Sequence, residues 1–183
     1  ISLMQGKIWV ESEQGHGSDF RFTIKTHFIP PPANTNKSVG KLKKLQGKRV
    51  LIVDDNFTNR QILQLQFDCW NIESVALESG VEALELLNAN QTFDLAILDM
   101  QMPGMDGEML AREIRKKYSR SELPLIMLTS IGNTVRSSEV KELFSYYVNK
   151  PIKHSVLADI MLSVLLNEQN GALTIPEIQS EMR

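Results

Sequence analysis

The sequence predicts an α/β protein built on a doubly wound parallel sheet, and three observations predict it. From Lys48 onward, short apolar runs alternate five times with amphipathic segments, the signature of consecutive strand–helix units. Within that region Leu95-Ala96-Ile97-Leu98 runs straight into Asp99 and then into the turn Met102-Pro103-Gly104-Met105-Asp106-Gly107. A short apolar run bounded by turn residues fits a strand buried on both faces. Finally, the carboxyl ends of the runs carry the polar chemistry: Asp54-Asp55, Asp99, Thr129-Ser130 and Lys150-Pro151. In an open parallel sheet those ends share one edge, where ligands bind.

In chain order, residues 1–28 hold two strand-like runs, Lys7–Ser12 and Asp19–Phe28, joined by a turn containing Gly15-His16-Gly17. Phe20, Phe22 and Ile24 alternate with Arg21, Thr23 and Lys25, which predicts a hairpin with one apolar face. An isolated hairpin is marginal in water, so this face needs a neighbour. The Gly-x-Gly is turn chemistry rather than a phosphate cradle, because no helix start follows it. Residues 29–47 read as a solvated linker: three prolines, then Asn, Thr, Ser, Gly and Lys37, Lys41, Lys43 and Lys44.

The repeats that follow are Arg49–Val53 with Thr58–Trp70, Glu73–Leu77 with Val81–Asn88, and Asp94–Leu98 with Glu108–Tyr118. Leu123–Leu128 with Val135–Phe144 and Tyr146–Val148 with His154–Asn167 complete them. The last helix places Val156, Leu157, Ile160, Met161, Val164 and Leu165 on one stripe facing the core. Residues 169–183 contain Gly171 and Pro176, show little periodicity and read as a loosely ordered tail.

Composition narrows the function. With 20 basic and 22 acidic residues in 183 and a net charge of −2, nothing in the global charge calls for nucleic acid or an anionic membrane. No apolar stretch reaches the roughly 18 residues that span a bilayer. The single Cys69 excludes an internal disulfide, suits a reducing compartment and reads as a small apolar residue near a helix end. The chain begins at Ile1 without a signal peptide, as expected of a piece of a longer protein.

Gathering Asp54, Asp55 and Asp99 on one sheet edge sets three carboxylates against each other, and like charges resist joint ionisation. A hard divalent cation relieves this, and an all-oxygen site suits Mg²⁺. The expected ligands are Asp55, Asp54 partly through water, one oxygen of Asp99 and the backbone carbonyl of Gln101. The same constellation suits phosphoryl transfer, which depends on positioning and charge stabilisation. In that chemistry Asp99 is the nucleophile and phosphoacceptor, Lys150 a point charge for a phosphoryl oxygen, and Thr129 a hydroxyl donor.

These residues carry a family resemblance. Val53-Asp54-Asp55-Asn56, Leu98-Asp99-Met100-Gln101-Met102-Pro103-Gly104, Leu128-Thr129-Ser130 and Tyr147-Val148-Asn149-Lys150-Pro151 resemble the motifs of the receiver domain of two-component response regulators. Asn56, Asn59 and Arg60 are similar to receivers attached to hybrid sensor kinases. Independently, Leu3–Ser12 and Gly15–Phe20 resemble the last hairpin of the ATP-binding domain of sensor histidine kinases, without that family's upstream nucleotide-binding boxes. The resemblance implies four segments: a kinase remnant over 1–28, a linker over 29–47, a receiver over 48–168 and a tail over 169–183. It implies a flavodoxin-like (βα)5 sheet of order 2-1-3-4-5 and a cis bond between Lys150 and Pro151.

The same likeness implies a function. A histidine kinase core would donate a phosphoryl group from phosphohistidine to Asp99, and a histidine phosphotransfer protein would receive it. None of His16, His27 or His154 stands in a donor-like context, so this segment is not a kinase by itself. Thr129 would turn to the phosphoryl group and leave space for Tyr147 to rotate inward, reshaping the face of the fourth helix, fifth strand and fifth helix. The segment would lie in the cytoplasm, with no direct membrane contact and no nucleic acid, whether or not its parent kinase is membrane-anchored. Gln101 could orient a hydrolytic water and Ile131 could not, which predicts a moderately long-lived phosphoryl group. The alternative is a receiver that is never phosphorylated and serves as an interaction module. A hydrolase of the haloacid dehalogenase type is disfavoured, because it needs an Asp where Gln101 stands.

Overall fold

The computed structural model describes residues 1–27, 42–130 and 138–166. The chain divides into two units, Ile1–Asn36 and Lys37–Arg183.

In the first unit, a 3-10 turn at Ser2–Met4 precedes an antiparallel hairpin of β1 (Ile8–Glu13) and β2 (Gly17–Phe22). Its register runs from Ile8 opposite Phe22 to Glu13 opposite Gly17. Ile8 and Val10 thus face Phe22 and Phe20 across the strands, and every residue of both strands is exposed. On the other face Arg21 reaches Glu11 at 3.1 Å and Asp19 at 2.7 Å. The second strand is shorter than the expected Asp19–Phe28. It ends at Phe22, and Phe28 lies outside the described residues.

The second unit is a five-stranded parallel sheet with helices on both faces. Its elements are β3 (Arg49–Val53), α1 (Phe57–Cys69), β4 (Glu73–Leu77), α2 (Gly80–Asn88) and β5 (Leu95–Asp99). They continue with α3 (Gly107–Arg115), β6 (Leu125–Thr129), α4 (Ser138–Leu143), β7 (Tyr146–Asn149) and α5 (His154–Leu166). The strand order is β4-β3-β5-β6-β7, which is the expected 2-1-3-4-5.

Alternation along the strands builds two cores. Leu51, Val53, Ala96, Leu98, Leu125 and Met127 pack on one face against Ala83 and Leu87 of α2, and Leu110, Ala111 and Ile114 of α3. Val50, Ile52, Leu95, Ile97, Ile126 and Leu128 pack on the other face against Leu63 and Phe67 of α1, and Leu157, Ile160 and Met161 of α5. Every residue of β5 and β6 is buried, so each sequence reads as an unbroken apolar run up to its last residue, Asp99 or Thr129. Each fully buried aliphatic side chain contributes about 1.5–3 kcal/mol relative to exposure.

Helix starts follow from local capping. The Asn56 carboxamide accepts from the Thr58 and Asn59 amides, Ser79 from Glu82, and Asp106 from Met109. The helix α3 ends at Arg115, short of the expected Tyr118, because its C-terminal turn is redirected. The Arg115 guanidinium takes the loop carbonyls of Tyr118, Ser119 and Leu123 and the Leu143 carbonyl. The strand β6 starts at Leu125 rather than Leu123, because Pro124 has no N–H for the ladder.

Leu45, within the expected linker over 29–47, lies in a 3-10 turn (Lys43–Leu45) and is completely buried in one apolar cluster with Leu157 and Met161. A single leucine among lysines is apolar enough to anchor the fold. Residues 28–41, the expected start of the fourth helix at Val135, Ile131, and the tail over 169–183 lie outside the described residues.

Candidate functional site

Four of the five strands of the sheet each deliver one part of the site. Asp54 leaves β3, Asp99 closes β5, Thr129 closes β6 and Lys150 follows β7. Among the described residues, Asp54, Asp99 and Thr129 are three of the four buried polar or charged ones, at 0 %, 7 % and 2 % exposure. Burying such groups is costly unless they are partnered, so their presence at one edge marks a site. Asp55 is exposed beside them.

Carboxylate oxygens of Asp54, Asp55 and Asp99 all lie within 4.8 Å of one another. Among the described side chains, one cation meets them. Lys150 Nζ stands 2.8 Å from Asp54 Oδ2 and 2.9 Å from Asp99 Oδ1. Asp54 also accepts two 3.1 Å hydrogen bonds from Asn59 Nδ2 and one of 2.9 Å from the Asn56 amide. The three clustered carboxylates therefore carry more negative charge than Lys150 can balance. An all-oxygen set of this kind fits a hard divalent cation.

The electrostatics are those of a partly desolvated anion site. Burial pushes the Asp99 carboxyl above the usual carboxylate range, and the Asp54 charge adds to it. The Lys150 hydrogen bond and charge, and the Gln101 amide, oppose the shift. For Lys150 burial alone would lower the ammonium, but the hydrogen bonds and charges of Asp54 and Asp99 outweigh it and raise it. At neutral pH Lys150 is a fixed cation between two strand ends.

The hydroxyl and aromatic candidates sit on the neighbouring strands. Thr129 Oγ1 donates to Asn149 Oδ1 at 2.8 Å, so the described hydroxyl is directed to its strand partner. The half-buried Tyr147 donates its phenol to the Val140 carbonyl at 2.6 Å and packs edge-on to Phe144 with centroids 5.1 Å apart. Burial and the Glu108 charge push its pKa up to about 12, with Arg120 opposing. The bond between Lys150 and Pro151 is cis, as expected. Gln101 lies just past β5, exposed. Cys69, expected to be a small apolar helix-end residue, closes α1 but is exposed.

Three contributors had no role assigned from sequence. Asn59 holds Asp54, and Arg60 Nη1 donates to the carbonyls of Asp54 and Asp55 at 2.7 and 3.0 Å. Their position in the first turn after the acidic pair was the available signal, since that turn must face back over the loop it leaves. Asn149 is the third. Its partnership with Thr129 depends on strand order and register, which no local pattern displays.

The sequence profile described as "Response regulator receiver domain" matches residues 50–162. The sensor protein GacS of Pseudomonas syringae pv. syringae is 33% identical over 136 residues, covering 72% of this chain and 15% of that protein. Hybrid signal transduction histidine kinase L of Dictyostelium discoideum is 33% identical over 124 residues, covering 64% of this chain and 7% of that protein. The sensor protein TorS of Escherichia coli K12 is 27% identical over 170 residues, covering 92% of this chain and 18% of that protein. The chain thus spans less than a fifth of the length of each of these relatives. Among solved structures, a response regulator receiver domain protein from Clostridium thermocellum superposes with a TM-score of 0.60 at 25% identity, covering 67% of this chain and 97% of that one. With the sheet order, the acidic cluster and the profile match in agreement, the chain belongs to the response regulator receiver domain family.

Proposed function

We propose that this chain is the phosphoacceptor receiver of a hybrid histidine kinase, and that Asp99 takes a phosphoryl group from phosphohistidine and yields it to a histidine phosphotransfer protein. The observation that carries the reading is Lys150 bridging Asp54 and Asp99 beside Asp55. Asp55, Asp54, one oxygen of Asp99 and the Gln101 carbonyl would hold Mg²⁺, which when bound neutralises charge on the phosphoryl oxygens. An Asp99 oxygen attacks phosphorus as the P–N bond breaks, and the donor imidazole keeps that electron pair. Lys150 stabilises a phosphoryl oxygen, and Thr129 turns to donate to another. Tyr147 then exchanges its bond to Val140 for an inward position.

The surroundings support a protein as phosphoryl donor and acceptor. Phe57, Ile62 and Leu65 of α1 are exposed. A cleft of about 450 Å³ beside Asp54 and Lys150 is walled by Ile62, Leu63, Leu128 and Ile152. An apolar rim around a charged centre suits a helical partner that presents a histidine. The uncovered Ile8, Val10, Phe20 and Phe22 support reading residues 1–28 as the last hairpin of a kinase ATP-binding domain. Among the described residues no helix is long and apolar enough to cross a membrane, and the proposal places this segment on the cytoplasmic side.

Intact mass after incubation with acetyl phosphate and Mg²⁺ tests the reading. One phosphoryl adduct is expected on the native chain, absent from Asp99→Asn and lost with EDTA. If neither acetyl phosphate nor a phosphorylated kinase core labels the chain, the reading fails in favour of a silent interaction module.

A further inference from the structure

We propose that Asn149 is a positioning residue that latches the Thr129 hydroxyl away from the phosphoryl site and so sets how readily the domain adopts its phosphorylated state. The proposal rests on the phosphoacceptor reading above.

The geometry is specific. Thr129 and Asn149 are direct partners in the parallel ladder between β6 and β7, and the Lys150 amide donates to the Thr129 carbonyl at 2.7 Å. The backbone at this point is therefore fixed on both strands. What can move is the Thr129 side chain, which is 2 % exposed and gives its proton to Asn149 Oδ1 at 2.8 Å. A buried hydroxyl needs a partner. In the resting domain Asn149 is that partner, and the hydroxyl cannot also serve a phosphoryl oxygen, since it has one proton.

The consequence is an exchange. When a phosphoryl group sits on Asp99, Thr129 trades its bond to Asn149 for one to a phosphoryl oxygen, and the exposed Asn149 amide is taken up by water. The trade costs the resting-state bond, which opposes activation. Remove the Asn149 acceptor and the hydroxyl is left buried without a partner, so turning to the phosphoryl group satisfies it. An isolated neutral hydrogen bond of this kind corresponds to about two- to twelvefold in an equilibrium constant. Asn149 also shares a strand face with Tyr147, two residues before it, so the latch and the aromatic residue lie on the same side of β7.

Equilibrium binding of beryllium trifluoride, a non-covalent phosphoryl mimic on carboxylates, tests the latch in the full chain with Mg²⁺. Asn149→Ala and the nearly isosteric Asn149→Leu should each tighten binding about two- to twelvefold. In a Thr129→Val background the same changes should leave affinity unaltered, because there is no hydroxyl to hold. Melting without Mg²⁺ checks that all variants fold. Equal affinity of the native chain and the Asn149 variants, or an equal change in both backgrounds, overturns the latch. No binding to the native chain defeats the phosphoacceptor reading itself, and the latch with it.

Discussion

Lys150 Nζ lies 2.9 Å from Asp99 Oδ1 while it also holds Asp54 Oδ2 at 2.8 Å, so one ammonium joins the carboxyl ends of β3 and β5 from its own place after β7. It offsets part of the repulsion among carboxylates that sit within 4.8 Å. It also competes with any metal bound there. Lys150→Met should therefore bind Mg²⁺ more tightly by calorimetry, yet take up phosphoryl groups from acetyl phosphate about 100-fold more slowly, the usual scale for losing one preorganised charge. Uptake at the native rate would remove Lys150 from the chemistry.

Arg60 fixes the acidic loop by its backbone. Its Nη1 donates to the carbonyls of Asp54 and Asp55, and its side chain is 13% exposed. A lysine keeps the charge but lacks the second arm, with which the guanidinium also reaches Glu78 at 3.5 Å while Nη1 holds the two carbonyls. Arg60→Lys should weaken Mg²⁺ binding about tenfold, the loss of one charge-assisted hydrogen bond, with little change in the melting temperature of the metal-free domain. A large fall in stability with unchanged Mg²⁺ affinity would make Arg60 structural instead.

Gly107 stands where α3 begins, and a Cβ there would collide with the backbone carbonyl of Asp99. Backbone cannot yield as a side-chain end can, so Gly107→Ala must push the end of β5. The expected cost is about 2 kcal/mol, together with slower phosphoryl uptake because Asp99 is displaced. Gly104 makes the control. Its φ of +76° favours glycine, but a Cβ there meets nothing within 4 Å. Gly104→Ala should cost about 1 kcal/mol through backbone strain alone.

How much of this was legible in the sequence depends on the range of the information. The strands β5 and β6 announced themselves, because burial on both faces leaves no polar position to interrupt the run. Asp54, Asp99, Thr129 and Lys150 were legible because a parallel sheet sends every strand end to one edge. Leu45 was not, since it sits among lysines and its burial against Leu157 and Met161 depends on where a distant helix lies. Leu45→Ala should cost about 3 kcal/mol in chemical denaturation. A solvated-linker residue would cost nothing. Asn149 escaped for the same reason: its partner is fixed by register, not by spacing.

Asp94 supplies the pH dependence, at the opposite edge of the sheet from the site. Its Oδ1 lies 2.7 Å from Lys48 Nζ, and its Oδ2 accepts the Arg49 amide at 2.8 Å. Burial alone would raise this carboxyl, but the Lys48 hydrogen bond, the Arg49 amide and the Lys48 charge outweigh it and hold it below 3.8. A folded value below the unfolded one means that the unfolded chain binds the proton more readily. The stabilisation is therefore present above the unfolded value and is lost as the pH falls through the folded one. Both side chains are about a third exposed, so solvent screens the pair. Asp94→Asn should cost about 1 kcal/mol at neutral pH. In urea titrations the gap to the native chain should close as the pH falls below the usual aspartate value and through the depressed folded one. Phosphoryl uptake on Asp99 should be unchanged. A gap that stays constant across that range would assign the cost to packing rather than to the charge.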